Sequence, residues 1–258
     1  MLSYLPSFEL TNQVVVVTGA GKGIGRALAI GAAEAGADVV VLARTEADIQ
    51  ETAGLVRDVG RKAYPIIADI TKESELTEAV QQIEKEAGKI NVLINNAGMN
   101  IRSKASDVTE VEWTQIFQTN LQGAFFMSQK CAEVMKEGGG GKIINISSVA
   151  GHVALRTGVV YAASKAGMIQ MTKNLALEWA ENGITVNAIG PWYFRTPLTE
   201  KLLQDEQYLA DIIKRTPMKR VGELKDLVGA AVFLSSEASN YITGQTLFVD
   251  GGMTSYGF

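Results

Sequence analysis

The chain has 258 residues, 47% of them hydrophobic and 20% charged, and a formal net charge of −4. This is the composition of an ordinary globular protein of one large domain or two small ones, and the mild negative balance argues against nucleic acid as the main partner. No apolar run reaches the about 18 residues that suggest a membrane helix, and the start, MLSYLPSFELTNQ, lacks the basic and apolar regions of a secretory signal, so the expected location is the cytoplasm with no membrane partner.

The first predicted element is the apolar strand VVVVT (14–18). A turn with Gly19, Gly23 and Gly25 follows, and then an Ala-rich helix over 26–36 that ends at Gly36. Glycines there let backbone approach a phosphate, and the helix start offers free N–H groups to a pyrophosphate. The spacing is T-G-x-x-x-G-x-G, not G-x-G-x-x-G. The next strand, DVVVLA (38–43), leads to Arg44. An acid at this strand end would read the ribose hydroxyls of NAD, whereas Arg44 with Lys22 in the glycine turn favours NADP, NAD remaining possible. Glu46 and Asp48 lie close enough in sequence to offset Arg44 in part.

A helix over 46–60, a strand over 62–68 ending in DIT (69–71), a helix over 73–88 and a strand over 91–95 leading into NNAG (95–98) come next. A long helix spans about 110–136 and carries Asn120, a poor helix former that suggests a polar task. EGGGG (137–141) is read as a turn, not a domain boundary. The strand KIINIS (142–147) ends in the serine pair Ser147 and Ser148, and a helix over about 159–182 opens with YAASK. Strands over 184–189 and 245–250 complete the set. Near-continuous apolar strands alternating with helices predict a single α/β domain over 1–258. It would be a doubly wound Rossmann-type fold with a seven-stranded parallel sheet and helices on both faces.

Tyr161 and Lys165, four apart, share one helix face. A phenol with its ordinary pKa of about 10 is a weak acid/base at neutral pH, and a nearby ammonium favours phenolate. Such a pair suits proton exchange with a ketone or an alcohol. DIT, NNAG and NISS all end strands, where open α/β sheets bind ligands. Cys131 and His152 are the only cysteine and histidine, which excludes an intrachain disulfide and argues against zinc. Cys131 reads as a buried helix residue.

From TGAGKGIG to VDGG the chain resembles the classical short-chain dehydrogenases/reductases. The resemblance implies that Tyr161 is the acid/base and that Ser148 hydrogen-bonds the substrate oxygen, the thirteen-residue offset to Tyr161 favouring it over Ser147. Lys165 would bind the nicotinamide ribose and lower the Tyr161 pKa, and Asn120 would hold a water in a proton relay. Gly19, Lys22, Gly23, Ile24 and Gly25 would form the phosphate turn. Asp69 and Ile70 would border the adenine, Asn96, Ala97 and Gly98 the adjacent ribose, and Pro191 and Thr196 the nicotinamide. No metal is required, and family members are commonly homotetramers.

GMNIRSK (98–104), WYFRT (192–196) and the C-terminal segment are similar to gluconate 5-dehydrogenases and related sugar-acid members. Arg102 would then pair with a substrate carboxylate, ahead of Arg156 and Arg195, and His152 would be placed to touch substrate. The alternatives are a 3-oxoacyl-carrier-protein reductase, a broad-range carbonyl reductase or, more remotely, an inactive NADP-binding regulator. In GPWYFRT (190–196) the family's usual Pro-Gly is Pro191-Trp192. A tryptophan does not readily take φ > 0, so this departure alters either the loop conformation or the pocket shape. Trp192 is therefore expected to narrow the substrate site, the alternative being packing beneath the loop.

Overall fold

A computed structural model describes residues 4–255. The outermost residues of the predicted 1–258 domain lie outside that range. Seven strands, β1 (Val14–Thr18), β2 (Asp38–Ala43), β3 (Ala63–Ile67), β4 (Val92–Asn95), β5 (Gly141–Ile146), β6 (Ile184–Pro191) and β7 (Thr246–Val249), form one sheet in the order β3-β2-β1-β4-β5-β6-β7. Every pairing is parallel. Strand order reverses between β1 and β4, which opens a crevice at their carboxyl ends.

Alternation along the buried strands divides the core into two layers. Val15 and Val17 of β1 face one layer, and Val14 and Val16 the other. The first layer is covered by α1 (Gly23–Glu34), α2 (Glu46–Asp58) and α9 (Leu224–Ser235), through Leu28, Ile49 and Leu227 among others. The second is covered by α3 (Glu73–Ala87), α5 (Gly123–Glu137) and α6 (Val159–Trp179), through Leu76, Met127 and Leu175. Cys131 is fully buried there, and burial pushes its thiol pKa up, which suits packing and not nucleophilic chemistry.

Three differences from the predicted elements bear on the site. The helix expected from residue 26 already begins at Gly23, so its N-terminus lies inside the glycine turn. The single long helix expected over 110–136 is α4 (Glu110–Phe117), one π-helical turn (Gln118–Gln122) and α5. Between β6 and β7, where no individual element was assigned from the sequence, the chain forms α7 (Glu200–Leu203), α8 (Glu206–Arg215) and α9. Tyr193, Leu203, Ile212 and Val221 make a small separate core under α7 and α8, with Trp192, Tyr208 and Leu209 packed against it. Among the described residues no helix is long and apolar enough to cross a membrane.

Candidate active site

A cleft of about 420 Å³ runs along the carboxyl ends of β1, β2, β4, β5 and β6. Gly19, Lys22, Gly23, Ile24, Gly25, Arg44, Asp69, Ile70, Asn96, Ala97, Gly98, Ser148, Tyr161, Lys165, Pro191, Trp192 and Thr196 all line it. A second cavity of about 360 Å³ shares Ser148, Tyr161, Trp192, Leu198 and Thr199 with the cleft and adds Arg102. Tyr161 and Ser148 therefore stand at the junction of the two spaces.

At the nucleotide end, Gly19 and Gly23 have φ of 65° and 57°. A Cβ on Gly25 would lie 2.3 Å from the Gly19 carbonyl oxygen, so only glycine lets α1 start this close to the strand. Unlike α2, α3 and α4, helix α1 has no acid in its first turn, and no side chain caps it. Its positive end and free N–H groups suit a pyrophosphate. The turn is braced from behind: Arg26 donates to the Gly21 carbonyl from Nη2 at 2.6 Å and to both Glu51 oxygens at 2.7 Å. Asn96 Nδ2 donates to the carbonyls of Thr18 and Gly19 at 3.0 and 3.2 Å, so its side chain holds the turn to β4.

The charges at the tip of β2 are arranged differently from the sequence-based reading. Asp48 pairs with Lys22 at 3.0 Å, not with Arg44. Arg44 is 76% exposed and lies 3.9 Å from Asp69. Burial works against the Asp69 carboxylate, but the Thr71 N–H and hydroxyl, at 3.0 and 2.8 Å, and the Arg44 charge outweigh it and hold its pKa below the usual range. The two cations thus face the cleft with an acid beside each. Asp48 and Thr45 also line the cleft, a position not predicted for either from the sequence.

At the other end, the two serines separate cleanly. Ser147 is buried and donates to the Lys165 carbonyl at 3.0 Å. Ser148 Oγ accepts from Ala150 N at 3.1 Å, hydrogen-bonds the Tyr161 phenol and lines both cavities. Lys165 is 4% exposed, and burial lowers its pKa to about 8. Its Nζ donates to the Ile146 carbonyl at 2.7 Å and stands 5.9 Å from the centre of the Tyr161 ring. Burial raises the Tyr161 phenol above its ordinary pKa, and the Ser148 hydrogen bond and Arg102 charge oppose this without reversing it. The ammonium is bound to a carbonyl beside the ring, and desolvation of the phenol dominates.

Asn120 is fully buried behind the cleft, in the π-helical turn. Its Oδ1 accepts from Met99 N at 2.8 Å, and Nδ2 donates to Met99 O at 2.9 Å and Ser164 Oγ at 3.1 Å. Both amide hydrogens are used, so the side chain braces the loop after β4 against the first turns of α6.

Arg102 Nη1 donates to the Tyr208 hydroxyl at 3.0 Å and to the Arg156 carbonyl at 3.3 Å. Tyr208 and Tyr193 share a hydroxyl contact of 2.5 Å. Arg156 is neutralised by Asp211 at 2.9 Å, whereas no described carboxylate forms an ion pair with Arg102. The cavity therefore presents an uncompensated guanidinium. His152 does not join it: the residue is exposed, lines neither cavity and packs its ring 4.9 Å from that of Phe248. Tyr208 was missed in the sequence, although Tyr208, Leu209 and Ile212 behind the N-cap Asp205 have helical spacing.

The three consecutive aromatics have three different tasks. Trp192 lines both cavities, Tyr193 reaches Tyr208, and Phe194 is buried in the first core layer. Among the described non-glycine residues only Asn12 and Lys219 have positive φ. Trp192 is thus accommodated without left-handed backbone, and the change from the usual glycine falls on pocket shape.

A doubly wound sheet with this glycine turn and a Ser-Tyr-Lys site at its carboxyl edge defines a nucleotide-dependent oxidoreductase. A family model described as enoyl-(acyl carrier protein) reductase, a short-chain dehydrogenase family, matches residues 19–254. The chain belongs to the short-chain dehydrogenase/reductase family and is an oxidoreductase of that family. It is 39% identical to a gluconate 5-dehydrogenase of Gluconobacter oxydans (strain 621H), over 98% of this chain and 99% of that protein. It is 37% identical to a tropinone reductase homolog of Arabidopsis thaliana, over 97% of this chain and 96% of the other. A gluconate 5-dehydrogenase from Burkholderia cenocepacia J2315, solved with NADP and tartrate, superposes with a TM-score of 0.94 at 39% identity, covering 97% of this chain and 98% of that one.

Proposed function

We propose that the protein interconverts a ketone and a secondary alcohol on a sugar acid of the gluconate type, with NADP. The observation that carries this is the uncompensated Arg102 in the same cavity as Tyr161 and Ser148. A guanidinium without an acid partner, close enough to pull on the phenol pKa, suits a carboxylated substrate whose reacting carbon lies at Tyr161. The similarity to gluconate 5-dehydrogenases supports the same class.

The cleft fits NADP by its donor set. The uncapped α1 N-terminus would receive the pyrophosphate, with Lys22, Arg44 and the uncapped Thr45 hydroxyl toward the 2′-phosphate. Asp69 and Ile70 would border the adenine, Asn96 to Gly98 and Lys165 the riboses, and Pro191 and Thr196 the nicotinamide. When bound, the cofactor supplies or accepts the hydride. Tyr161, held protonated by its raised pKa, donates to the carbonyl oxygen, and Ser148 donates a second hydrogen bond to the same oxygen as charge builds there. The Lys165 ammonium beside the ring then stabilises the phenolate.

A panel of sugar acids, oxoacyl thioesters and simple ketones, each with NADPH and NADH, tests the reading. Sugar-acid turnover with NADPH, abolished by Tyr161→Phe, is expected. Turnover limited to ketones without a carboxylate would favour the second reading, a broader carbonyl reductase, which the likeness to the tropinone reductase homolog supports. We also read the protein as a homotetramer. The exposed Val111 and Trp113 of α4 and Leu177 of α6 suit helix pairing between copies, and exposed Leu247 suits contact along β7.

A further inference from the structure

Trp192 lines both cavities, yet its indole is held from outside them. Nε1 donates to Thr216 Oγ1 at 3.0 Å, and Thr216 Oγ1 donates in turn to the Ile212 carbonyl at 2.7 Å. Thr216 is 1% exposed and closes the C-terminus of α8. No residue of α8 and no atom of Thr216 contributes to the lining of either cavity. The threonine is itself fixed from the other side: a Cβ on Gly251, where φ is 62°, would lie 2.8 Å from Thr216 Cγ2. A side chain as large as tryptophan at the mouth of a cavity could take several rotamers. Here its one hydrogen-bond donor finds a partner whose only hydrogen is already directed elsewhere, so the Thr216 oxygen is oriented to accept. The edge-on contact with Tyr193, with centroids 4.7 Å apart, holds the ring on its other flank.

We propose that Thr216 is a positioning residue for substrate selectivity: its hydroxyl fixes the Trp192 indole as a wall of the substrate cavity. The proposal rests on reading that cavity as the substrate site. Without the hydroxyl, a half-buried indole N–H loses its partner, and the ring turns to recover one. The wall then moves while Tyr161, Ser148 and Arg102 stay in place.

The test is the ratio of kcat/KM for 5-ketogluconate to that for a small cyclic ketone. It is measured in wild type and in Thr216→Val, Thr216→Ser, Trp192→Phe and Trp192→Gly. Thr216→Val keeps the shape and removes the hydroxyl, and the ratio should change by about 3- to 10-fold, the usual range for one lost hydrogen bond. Thr216→Ser keeps the hydroxyl and should stay within about twofold of wild type. Trp192→Phe removes the donor, so adding Thr216→Val to it should have no further effect on the ratio. Trp192→Phe alone breaks the same bond with Thr216 intact, so its ratio serves if Thr216→Val folds poorly. A purely structural threonine would lower Tm and reduce both activities in proportion, with the ratio unchanged, and that result overturns the proposal. If Trp192→Gly also leaves the ratio unchanged, the reading of the cavity fails. If Trp192→Gly shifts it and Thr216→Val does not, only the role of Thr216 fails.

Discussion

Asn120 pairs with both backbone polar groups of one residue, accepting from Met99 N at 2.8 Å and donating to Met99 O at 2.9 Å. The pair joins the loop after β4 to the π-helical turn, and Ser164 extends it to the carbonyl of Tyr161, onto which Ser164 Oγ donates at 2.8 Å. Replacing Asn120 by Leu leaves these groups buried without partners, at a cost of about 1–3 kcal/mol for each unsatisfied group. Urea denaturation should show a loss in that range, and kcat should fall more than the residual folded fraction explains, because the first turns of α6 carry Tyr161.

Ser147→Ala and Ser148→Ala should part company. The first removes a buried bond to the Lys165 carbonyl and should cost about 1 kcal/mol of stability with a modest loss of rate. The second removes a donor at the reacting oxygen and should lower kcat by about 10²- to 10³-fold with Tm nearly unchanged. Equal effects of the two on kcat would contradict the assignment of Ser148.

Lys165 gives stability a pH dependence with a definite sign. Its folded pKa, about 8, lies below the ordinary value of 10.5. Below pH 8 the lysine is charged in both folded and unfolded states, and the folded state bears the full penalty of burying the charge. Between pH 8 and 10.5 the unfolded chain binds more protons, so this penalty fades as pH rises. Lys165→Met should therefore be more stable than wild type at pH 7, by up to the order of 3 kcal/mol. The difference should narrow across that window in paired denaturation curves. The variant should also lose catalytic activity.

Arg102→Ala should reduce kcat/KM for a sugar acid by about 100-fold, the scale of a lost charged hydrogen-bond pair, and leave ketones without a carboxylate little changed. Removing the guanidinium also removes a charge that lowers the Tyr161 pKa. The basic limb of the pH–rate profile should then move to higher pH. An unmoved limb with an unchanged sugar-acid rate would place the carboxylate elsewhere.

The pairing of Lys22 with Asp48 makes cofactor preference adjustable. Asp48→Asn frees the lysine and should lower KM for NADPH while leaving that for NADH nearly constant. Arg44→Ala should raise KM for NADPH by about 10-fold, as expected for one charge-assisted contact. If both variants leave the NADPH-to-NADH ratio at its wild-type value, the 2′-phosphate is not read here.

Much of this was legible in the sequence because it depends on local rules. VVVVT, the glycine turn and the helix behind it have the spacing of a strand, a close approach and a helix start, so the cleft and its nucleotide end could be predicted from the residues in order. YAASK placed Tyr161 and Lys165 on one face because the helix period is fixed. The segment between β6 and β7 was not legible in the same way. The helix of Tyr208 is short, and its apolar side makes sense only once Tyr193, Leu203 and Val221 are known to lie beneath it.

By itself the sequence determined the fold class and the position of the cleft, since strand alternation, helix period and glycine conformation act within a few residues, whereas the residues proposed for the reacting end came from the resemblance to the short-chain family. Tertiary structure alone decided that Ser147 turns to the Lys165 carbonyl and that Asp48 belongs to Lys22. It also decided that Asn120 holds Met99, that His152 lies outside the cavity, and that Trp192 is held by Thr216. Each of these is a contact between side chains brought together by packing, and the outcome depends on desolvation and on which partner is within hydrogen-bond reach. Neither is encoded in the spacing of residues along the chain.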